Sequence, residues 1–255
     1  MPCRITKTRI NTDKITIKGF LEISFIDWDG RIAAVIFLPE CNLRCRFCHA
    51  VDLVLHPQSL PKIAWGEIES YLQNYKDWID GVVISGGEPT LYPALEDLIL
   101  SIKNMGIPVK LDTNGTNPSR LRDLLAKNLL DYAAMDLKGP AVKYPFIVSR
   151  NIDFSLIKES LDLLRNSSLD YEIRTTVVPN LLDTADFLSM LPLLRGVKKY
   201  VLQQFRPGIT IDSSLQEIPS YPLEKLEEFR ELLIYHSIPT IIRGINSSIP
   251  SLVVK

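Results

Sequence analysis

The sequence predicts an α/β fold built around a parallel sheet. Short runs of β-branched and apolar residues alternate with longer amphipathic stretches, which is the pattern of repeated strand–helix units. The chain has 255 residues, 46% of them hydrophobic, so it can bury one full core. No Gly/Ser linker or low-complexity tract divides it. We therefore expect a single domain over residues 1–255.

Six strands, each followed by a helix, account for most of the chain. The strand candidates are 32–38, 81–85, 107–112, 132–138, 171–178 and 199–204. The helix candidates are 64–76, 92–105, 118–127, 153–165, 183–194 and 222–235. Asn117 before Pro118 is a good helix start, because Asn caps the free N–H groups and Pro suits the first helical position, and Asp183 is a second candidate cap. Residues 31–208 form the predicted core.

The segments on either side of this core carry weaker patterns. Residues 14–18 and 21–25 have strand-like composition, and we expect the extension 1–30 to form a hairpin or lid at the sheet edge. A seventh short strand is expected at 238–242. Residues 209–255 would then hold a helix, this strand and a short tail from residue 246.

The charge pattern argues against several functional classes. Lys and Arg number 29 against 30 Asp and Glu, with the two signs interspersed, which is neither a nucleic-acid footprint nor a membrane patch. No apolar signal core and no apolar run long enough to span a bilayer is present. Four Cys are too few for a disulfide-stapled secreted fold. We expect a cytoplasmic protein that binds neither nucleic acid nor membranes.

Three thiols directly after an apolar run are the most unusual local feature. Cys41, Cys45 and Cys48 suit zinc or an iron–sulfur cluster, but both commonly take four protein ligands, and no Cys follows Cys48. Cys3 lies far upstream, and we expect it to be a spectator. Three thiolates leave one metal position open, as a site needs if it acts on an arriving ligand. A zinc site completed by His56 is the alternative interpretation.

Polar or conformationally permissive residues follow every predicted strand. Ligands bind at this end of the strands in parallel α/β folds, because the loops converge there. Side-chain alternation places Asp136 with Lys138, and Glu172 with Arg174, on one face of their strands. The residues at the strand ends that we select as candidates are Gly86, Gly87, Glu88, Asp112, Thr113, Asp136, Lys138, Arg174 and Gln203.

These residues suit a small charged ligand. Inward-pointing Asp136 and Lys138 are costly unless they bind each other or a ligand, so a core salt bridge is the alternative reading. The guanidinium of Arg174 can fork onto a carboxylate. Two glycines at a strand end leave backbone N–H groups open to a ligand, and Glu88 could accept from an ammonium group.

The order of these motifs resembles that of the radical S-adenosylmethionine enzymes, in particular the branch that activates glycyl radical enzymes. The strings are Cys-Asn-Leu-Arg-Cys-Arg-Phe-Cys at 41–48, Gly-Gly-Glu-Pro at 86–89, Leu-Asp-Thr-Asn-Gly at 111–115, Met-Asp-Leu-Lys at 135–138 and Arg-Thr-Thr-Val-Val-Pro at 174–179. The resemblance implies a partial (β/α)6 TIM-like barrel with an N-terminal hairpin extension. It also implies reductive cleavage of S-adenosylmethionine to a 5′-deoxyadenosyl radical that abstracts hydrogen.

Each candidate residue acquires a role from this resemblance. It implies that Cys41, Cys45 and Cys48 hold one [4Fe-4S] cluster, with Phe47 beside the adenine of S-adenosylmethionine. It further implies that Gly86, Gly87 and Glu88 receive the methionyl amino group, and that Asp112 and Asp136 help hold a monovalent cation beside the cofactor carboxylate. Thr113 is a further cofactor-binding candidate. Lys138 and Arg174 are the catalytic candidates, beside that carboxylate or the substrate, and Gln203 would contact the ribose where a relative has histidine.

The same resemblance suggests partners. It implies a glycyl radical enzyme, with the anaerobic ribonucleotide reductase as the first candidate. Because no second cluster motif is present, we expect an external one-electron donor such as flavodoxin or ferredoxin. The alternatives are a small-molecule enzyme similar to carboxy-deazaguanine synthase and, more remotely, a zinc-binding module.

Overall fold

The computed structural model describes residues 15–245 and contains one eight-stranded sheet. Its strands follow chain order: β1 (Gly19–Ser24), β2 (Ala33–Leu38), β3 (Gly81–Gly86), β4 (Val109–Thr113), β5 (Tyr132–Asp136), β6 (Tyr171–Val177), β7 (Tyr200–Gln204) and β8 (Thr240–Arg243). The helices are α1 (Val51–Leu55), α2 (Trp65–Tyr75), α3 (Leu95–Lys103), α4 (Pro118–Ala126), α5 (Tyr144–Val148), α6 (Phe154–Arg165), α7 (Thr184–Leu194) and α8 (Leu223–Tyr235).

The sheet is parallel except for its first pair. β1 runs antiparallel to β2, and every later pair is parallel. β1 and β8 are the two edges, so the sheet stays open. The predicted α/β fold is therefore confirmed, with the six expected strands as β2–β7 and the seventh as β8. The N-terminal extension does contribute a hairpin strand at the sheet edge, but this strand, β1, pairs with β2 and not with the expected partner at 14–18.

Some predicted boundaries were wrong. The expected strand at 14–18 is represented, within the described residues, by a single bridge between Ile17 and Ile63. β5 ends at Asp136, so Lys138 lies in the loop that follows. Two five-residue helices, α1 and α5, were not predicted, because one turn is too short to display an amphipathic period. Cys3 and the tail from residue 246 lie outside the described residues.

The predicted helix starts are present. The side chain of Asn117 accepts a hydrogen bond from the Arg120 N–H, with Pro118 at the first helical position of α4. Asp183 accepts from the N–H groups of Ala185 and Asp186, and the side chain of Asp186 accepts in return from the Asp183 N–H. These caps terminate the loops that lead from β4 and β6 into their helices.

The two faces of the sheet differ in polarity. Ile36, Ile84 and Leu111 belong to the main core shared with the helices and are fully buried. The concave face begins apolar, with Val35 and Val83 packed beside Trp28. On β4 and β6 the same face carries charged side chains, which are Lys110, Asp112, Glu172 and Arg174. Buried charges are costly unless they are paired, and these side chains form ion pairs with one another or with neighbouring residues. They mark the end of the sheet at which the site lies.

Within residues 15–245, no helix is both long enough and apolar enough to traverse a lipid bilayer.

Candidate active site

A cavity of about 690 Å³ lies at the carboxyl ends of the parallel strands and extends to the loop between β1 and β2. That volume is suited to a small organic ligand. It is lined by every predicted site residue except Glu88: Cys41, Cys45, Phe47, Cys48, Gly86, Gly87, Asp112, Thr113, Asp136, Lys138, Arg174 and Gln203. The fold thus gathers these residues from six separate segments into one site.

The loop after β2 presents its thiols to this cavity. Cys41, Leu43, Cys45 and Phe47 line the cavity, whereas the intervening Arg44 and Arg46 do not, as expected of an extended backbone. The backbone then turns, with the Cys48 N–H donating to the Cys45 carbonyl at 3.0 Å. All three thiols are free cysteines.

The surroundings of these thiols fit a bound metal cluster. Burial raises the pKa of the Cys45 thiol to about 12 and that of Cys41 to about 11, so neither ionises readily without a cation. The Leu43 N–H donates to the Cys41 sulfur at 3.3 Å, and the Asn114 amide lies 3.6 Å from it. Such N–H donors stabilise a sulfur that carries negative charge.

A single zinc ion fits less well. Across residues 15–245, no three His, Cys, Asp or Glu side chains converge to hold one ion. His56, the candidate fourth ligand, is exposed at the end of α1 and does not line the cavity. His49 does line the cavity, but its Nδ1 is 2.9 Å from the Ile209 carbonyl oxygen.

The two glycines are required by close packing of the backbone. Gly86 has φ of +114°, and a Cβ there would lie 2.3 Å from the Leu38 carbonyl oxygen. A Cβ on Gly87 would lie 1.7 Å from the Glu40 carbonyl oxygen. The Gly87 N–H donates to Leu38 at 2.9 Å, so the end of β3 is joined directly to the start of the cysteine loop. Any larger residue would displace that loop.

Glu88 points away from the cavity. Its carboxylate accepts from the Thr113 hydroxyl at 2.6 Å, from the Asn114 N–H at 2.6 Å and from the Thr90 N–H at 3.0 Å. Burial raises its pKa, an effect that these donors oppose. The structure therefore places Glu88 as the organiser of the loop after β4, and its expected contact with an ammonium group stays a prediction.

Four charged side chains form the wall opposite the thiols. Asp136 lies 2.8 Å from Lys138 and 2.8 Å from Arg174, and Arg174 also reaches Asp112 at 3.2 Å. Burial alone would raise the pKa of Asp136, but Arg174 and Lys138 hold it well below its usual range. Burial likewise opposes the charge on Lys138, but Asp136 holds its pKa above the usual range. Asp136 and Lys138 are therefore both charged at neutral pH.

The contacts of this wall bear on the predicted cation site at Asp112 and Asp136 and on the predicted role of Lys138. Asp112 also lies 3.2 Å from the buried Lys110, so both carboxylates assigned to a monovalent cation already contact protein cations. Lys138 additionally lies 5.7 Å from the ring centre of Phe47, which joins it to the cysteine loop. Lys138 is thus the charged group that contacts both sides of the cavity.

Sequence reasoning did not select three further polar residues at the site. Ser85 donates to Asp112 at 3.2 Å, and Asn114 bonds Asn42 at 3.0 Å beside Cys41. Gln204 donates to the Tyr221 carbonyl at 2.7 Å, and its buried side-chain oxygen has no hydrogen-bond partner within residues 15–245. Each of the three is adjacent in sequence to a selected residue at a strand end. That position was the one sequence feature that could have identified them as site residues.

The family model of the radical SAM superfamily matches residues 35–191, which span β2 to α7. The chain belongs to the radical SAM superfamily. It is accordingly a radical SAM enzyme, and the family implies a [4Fe-4S] cluster and S-adenosylmethionine as cofactors. The buried thiols with N–H donors and the charged wall facing them fit these two groups.

Relatives extend this match along the chain. A protein of Methanocaldococcus jannaschii named "Putative glycyl-radical enzyme activating enzyme" is 32% identical over 242 residues, 92% of this chain and 98% of its own. A pyruvate formate-lyase-activating enzyme of Clostridium pasteurianum is 26% identical over 85% of this chain and 96% of its own. A 7-carboxy-7-deazaguanine synthase of Neisseria meningitidis is 33% identical over 45% of this chain and 48% of its own.

Solved structures support the fold. The crystal structure of Streptococcus suis SuiB bound to precursor peptide SuiA superposes with a TM-score of 0.63 over 82% of this chain, at 15% identity. The match covers 48% of the SuiB chain. At this identity the likeness bears on the fold alone, and it agrees with a partial barrel.

Proposed function

We propose that this protein activates a glycyl radical enzyme by removing a hydrogen atom from a glycine of that partner. The similarity to the Methanocaldococcus jannaschii protein carries the proposal, because it spans 92% of this chain and 98% of the relative. The similarity to the carboxy-deazaguanine synthase is confined to 45% of this chain and 48% of the relative.

The geometry supports a partner that reaches in from outside. The cavity extends from the thiols to Ile26 and Asp27, in the loop between the edge strand β1 and β2, and to Arg243 on the other edge strand. The cavity thus reaches both edges of the sheet, where a polypeptide loop of a partner would enter beside the Asp29–Arg243 ion pair. Glycine suits such a loop because it has no Cβ to meet the cavity walls.

Different residues of the site would bind the cluster and S-adenosylmethionine. Cys41, Cys45 and Cys48 would hold the cluster, while Lys138 and Arg174 would bind and orient the carboxylate of S-adenosylmethionine. When bound and reduced, the cluster and S-adenosylmethionine supply the 5′-deoxyadenosyl radical that removes hydrogen. Gln203 is on the same face as Arg174, since it pairs with Thr176 in the sheet, and would contact the ribose.

For the partner itself, we propose the anaerobic ribonucleotide reductase, on the strength of the motif order from the cysteine loop to Arg174. The test mixes the reconstituted protein with the reductase, S-adenosylmethionine and a reductant. The expected result is the doublet electron resonance of a glycyl radical, followed by cleavage at that glycine on exposure to oxygen. A parallel mixture with pyruvate formate-lyase tests the partner that the name of the Clostridium pasteurianum relative suggests.

A reductase in which the radical-bearing glycine is replaced by alanine is the matched control, and it should give no doublet. Failure with both glycyl radical enzymes, together with 5′-deoxyadenosine release that depends on a small metabolite, would replace the proposal with a biosynthetic function.

A further inference from the structure

We propose that the outer side of the cysteine loop, together with α5, is the docking surface for an acidic one-electron carrier protein. This docking surface comprises residues 42–46, 142–150 and 209–212. The inference rests on family membership, because the cluster must receive an electron, and it does not depend on the identity of the hydrogen donor.

The cysteine loop has two chemically different sides. The thiols, Leu43 and Phe47 line the cavity, whereas Arg44 and Arg46 do not. Arg44 donates to the carbonyls of Cys41 and Leu43, at 2.5 and 2.8 Å. The two arginines flank Cys45 in the sequence. The thickness of one loop therefore separates their surface from the thiols, which is a short route for an electron.

Backbone hydrogen bonds attach neighbouring segments to both flanks of this loop. On one flank, the Arg44 and Arg46 N–H groups donate to the carbonyls of Val148 and Ile147 in α5. On the other flank, the Ile211 and Asp212 N–H groups donate to the carbonyls of Cys48 and Arg46. A partner that contacts these segments would be held against the cysteine loop itself.

The segments carry exposed apolar side chains. Val142 is 87% exposed, Phe146 is 59% exposed and Ile209 is 73% exposed. The guanidinium of Arg46 lies 4.3 Å from the ring centre of Phe146, so the apolar and basic groups are adjacent. Apolar groups beside charged ones are characteristic of protein interfaces, in which the charges select the partner.

The charge of the surface is positive. Its three segments contain four cations, Arg44, Arg46, Lys143 and Arg150, and one carboxylate, Asp212, in a chain whose overall charge is −1. Arg46 and Lys143 have carboxylate partners in Asp212 and Asp186, whereas Arg44 and Arg150 have no carboxylate within 4 Å in the described part of the chain. The excess positive charge complements an acidic carrier.

In the transfer, the reduced carrier would lose one electron and the cluster that Cys41, Cys45 and Cys48 would hold would gain it, with no bond made or broken. Flavodoxin and ferredoxin are the two carriers to test, since each is acidic and transfers single electrons.

The test uses the reconstituted holoenzyme and the double variant Val142→Asp/Arg150→Glu, because both side chains are exposed and neither lines the cavity. The matched control is Lys76→Glu, an exposed lysine at the end of α2, next to the opposite end of the strands. Calorimetry at several salt concentrations measures the affinity for each carrier. Stopped-flow absorbance compares cluster reduction by the carrier with reduction by dithionite.

We expect the double variant to bind the carrier about tenfold more weakly, with a flatter salt dependence, and to accept electrons from dithionite at the wild-type rate. Lys76→Glu should match wild type in every measurement. Wild-type affinity in the double variant, equal loss in the control, or no binding of either carrier to wild type would each overturn the inference. Glycyl radical formation with dithionite would remain as a separate test of the proposed function.

Discussion

Asp29 and Arg243 form an ion pair of 2.6 Å between the loop after β1 and the last strand. Arg243 also bonds both oxygens of Glu172, at 2.8 and 2.9 Å, and Lys199 contacts Asp29 and Glu172 at 2.6 and 3.2 Å. β1 and β8 are the edges of the open sheet, so charged side chains join regions that no strand pairing connects.

The two carboxylates of this network should contribute unequally to stability. The side chain of Glu172 is 2% exposed and that of Asp29 is 43% exposed. Glu172→Gln removes the buried carboxylate that bonds Arg243 and Lys199, which keep Asp29 as a partner, and should cost ~1.5–3 kcal/mol of unfolding free energy. Asp29→Asn removes a screened pair and should cost ~0.2–1 kcal/mol. Urea unfolding measures both, and equal losses would contradict this ranking.

Acid sensitivity should follow from the same network. Burial opposes the charge on Glu172, but the bonds from Arg243 lower its pKa to about 2. A depressed carboxylate stabilises the fold above its unfolded pKa of about 4.3, and that contribution disappears as the pH falls towards 2. Wild type should lose stability more steeply than Glu172→Gln over this interval. Parallel slopes in unfolding experiments across the interval would exclude Glu172 as the cause.

Iron content tests the assignment of the three thiols. Anaerobically reconstituted wild type should hold one four-iron cluster, because three thiols, one buried and two half-buried, line the cavity and the family implies that group. Cys45→Ala should abolish its assembly, and Cys3→Ala should leave iron and sulfide unchanged. Tight zinc binding without iron, or loss of iron on changing Cys3, would show that the ligand set has been misassigned.

Lys138 should affect the cofactor and leave the metal intact. Lys138→Ala removes a charged hydrogen-bond donor worth ~1.5–3 kcal/mol, so affinity for S-adenosylmethionine should fall on the order of ten- to a hundredfold. Lys143→Ala is the control, because Lys143 is also paired to an aspartate but does not line the cavity. Equilibrium binding and iron analysis provide the readouts. Unchanged affinity for S-adenosylmethionine in Lys138→Ala would show that the ion pair of Lys138 with Asp136 is only structural.

Glu88 should act on stability. Glu88→Ala leaves the Thr113 hydroxyl and the Asn114 and Thr90 N–H groups without their acceptor, at a cost of ~1–3 kcal/mol for each buried donor. Glu88→Gln keeps one acceptor oxygen and should lose less. Thermal unfolding distinguishes the two variants. A wild-type melting temperature for Glu88→Ala, combined with weak binding of S-adenosylmethionine, would show that Glu88 binds the cofactor and does not stabilise the fold.

Much of the fold could be predicted because its signals are local. Apolar runs mark the strands, and Asn117 and Asp183 mark helix starts, through contacts within a few residues. The short helices α1 and α5 were not predicted, because five residues are too few to show a helical period. The strand ends could be recognised as a site because parallel strands bring their carboxyl ends together.

The sequence by itself determined which strand ends meet at the site, because their positions follow from the order of the βα units. Tertiary structure decided what each side chain does there. Glu88 turns toward the loop after β4, and Arg243 joins Glu172 and Asp29. These partners are remote in sequence, and their contacts depend on the curvature of the sheet, which no local pattern encodes.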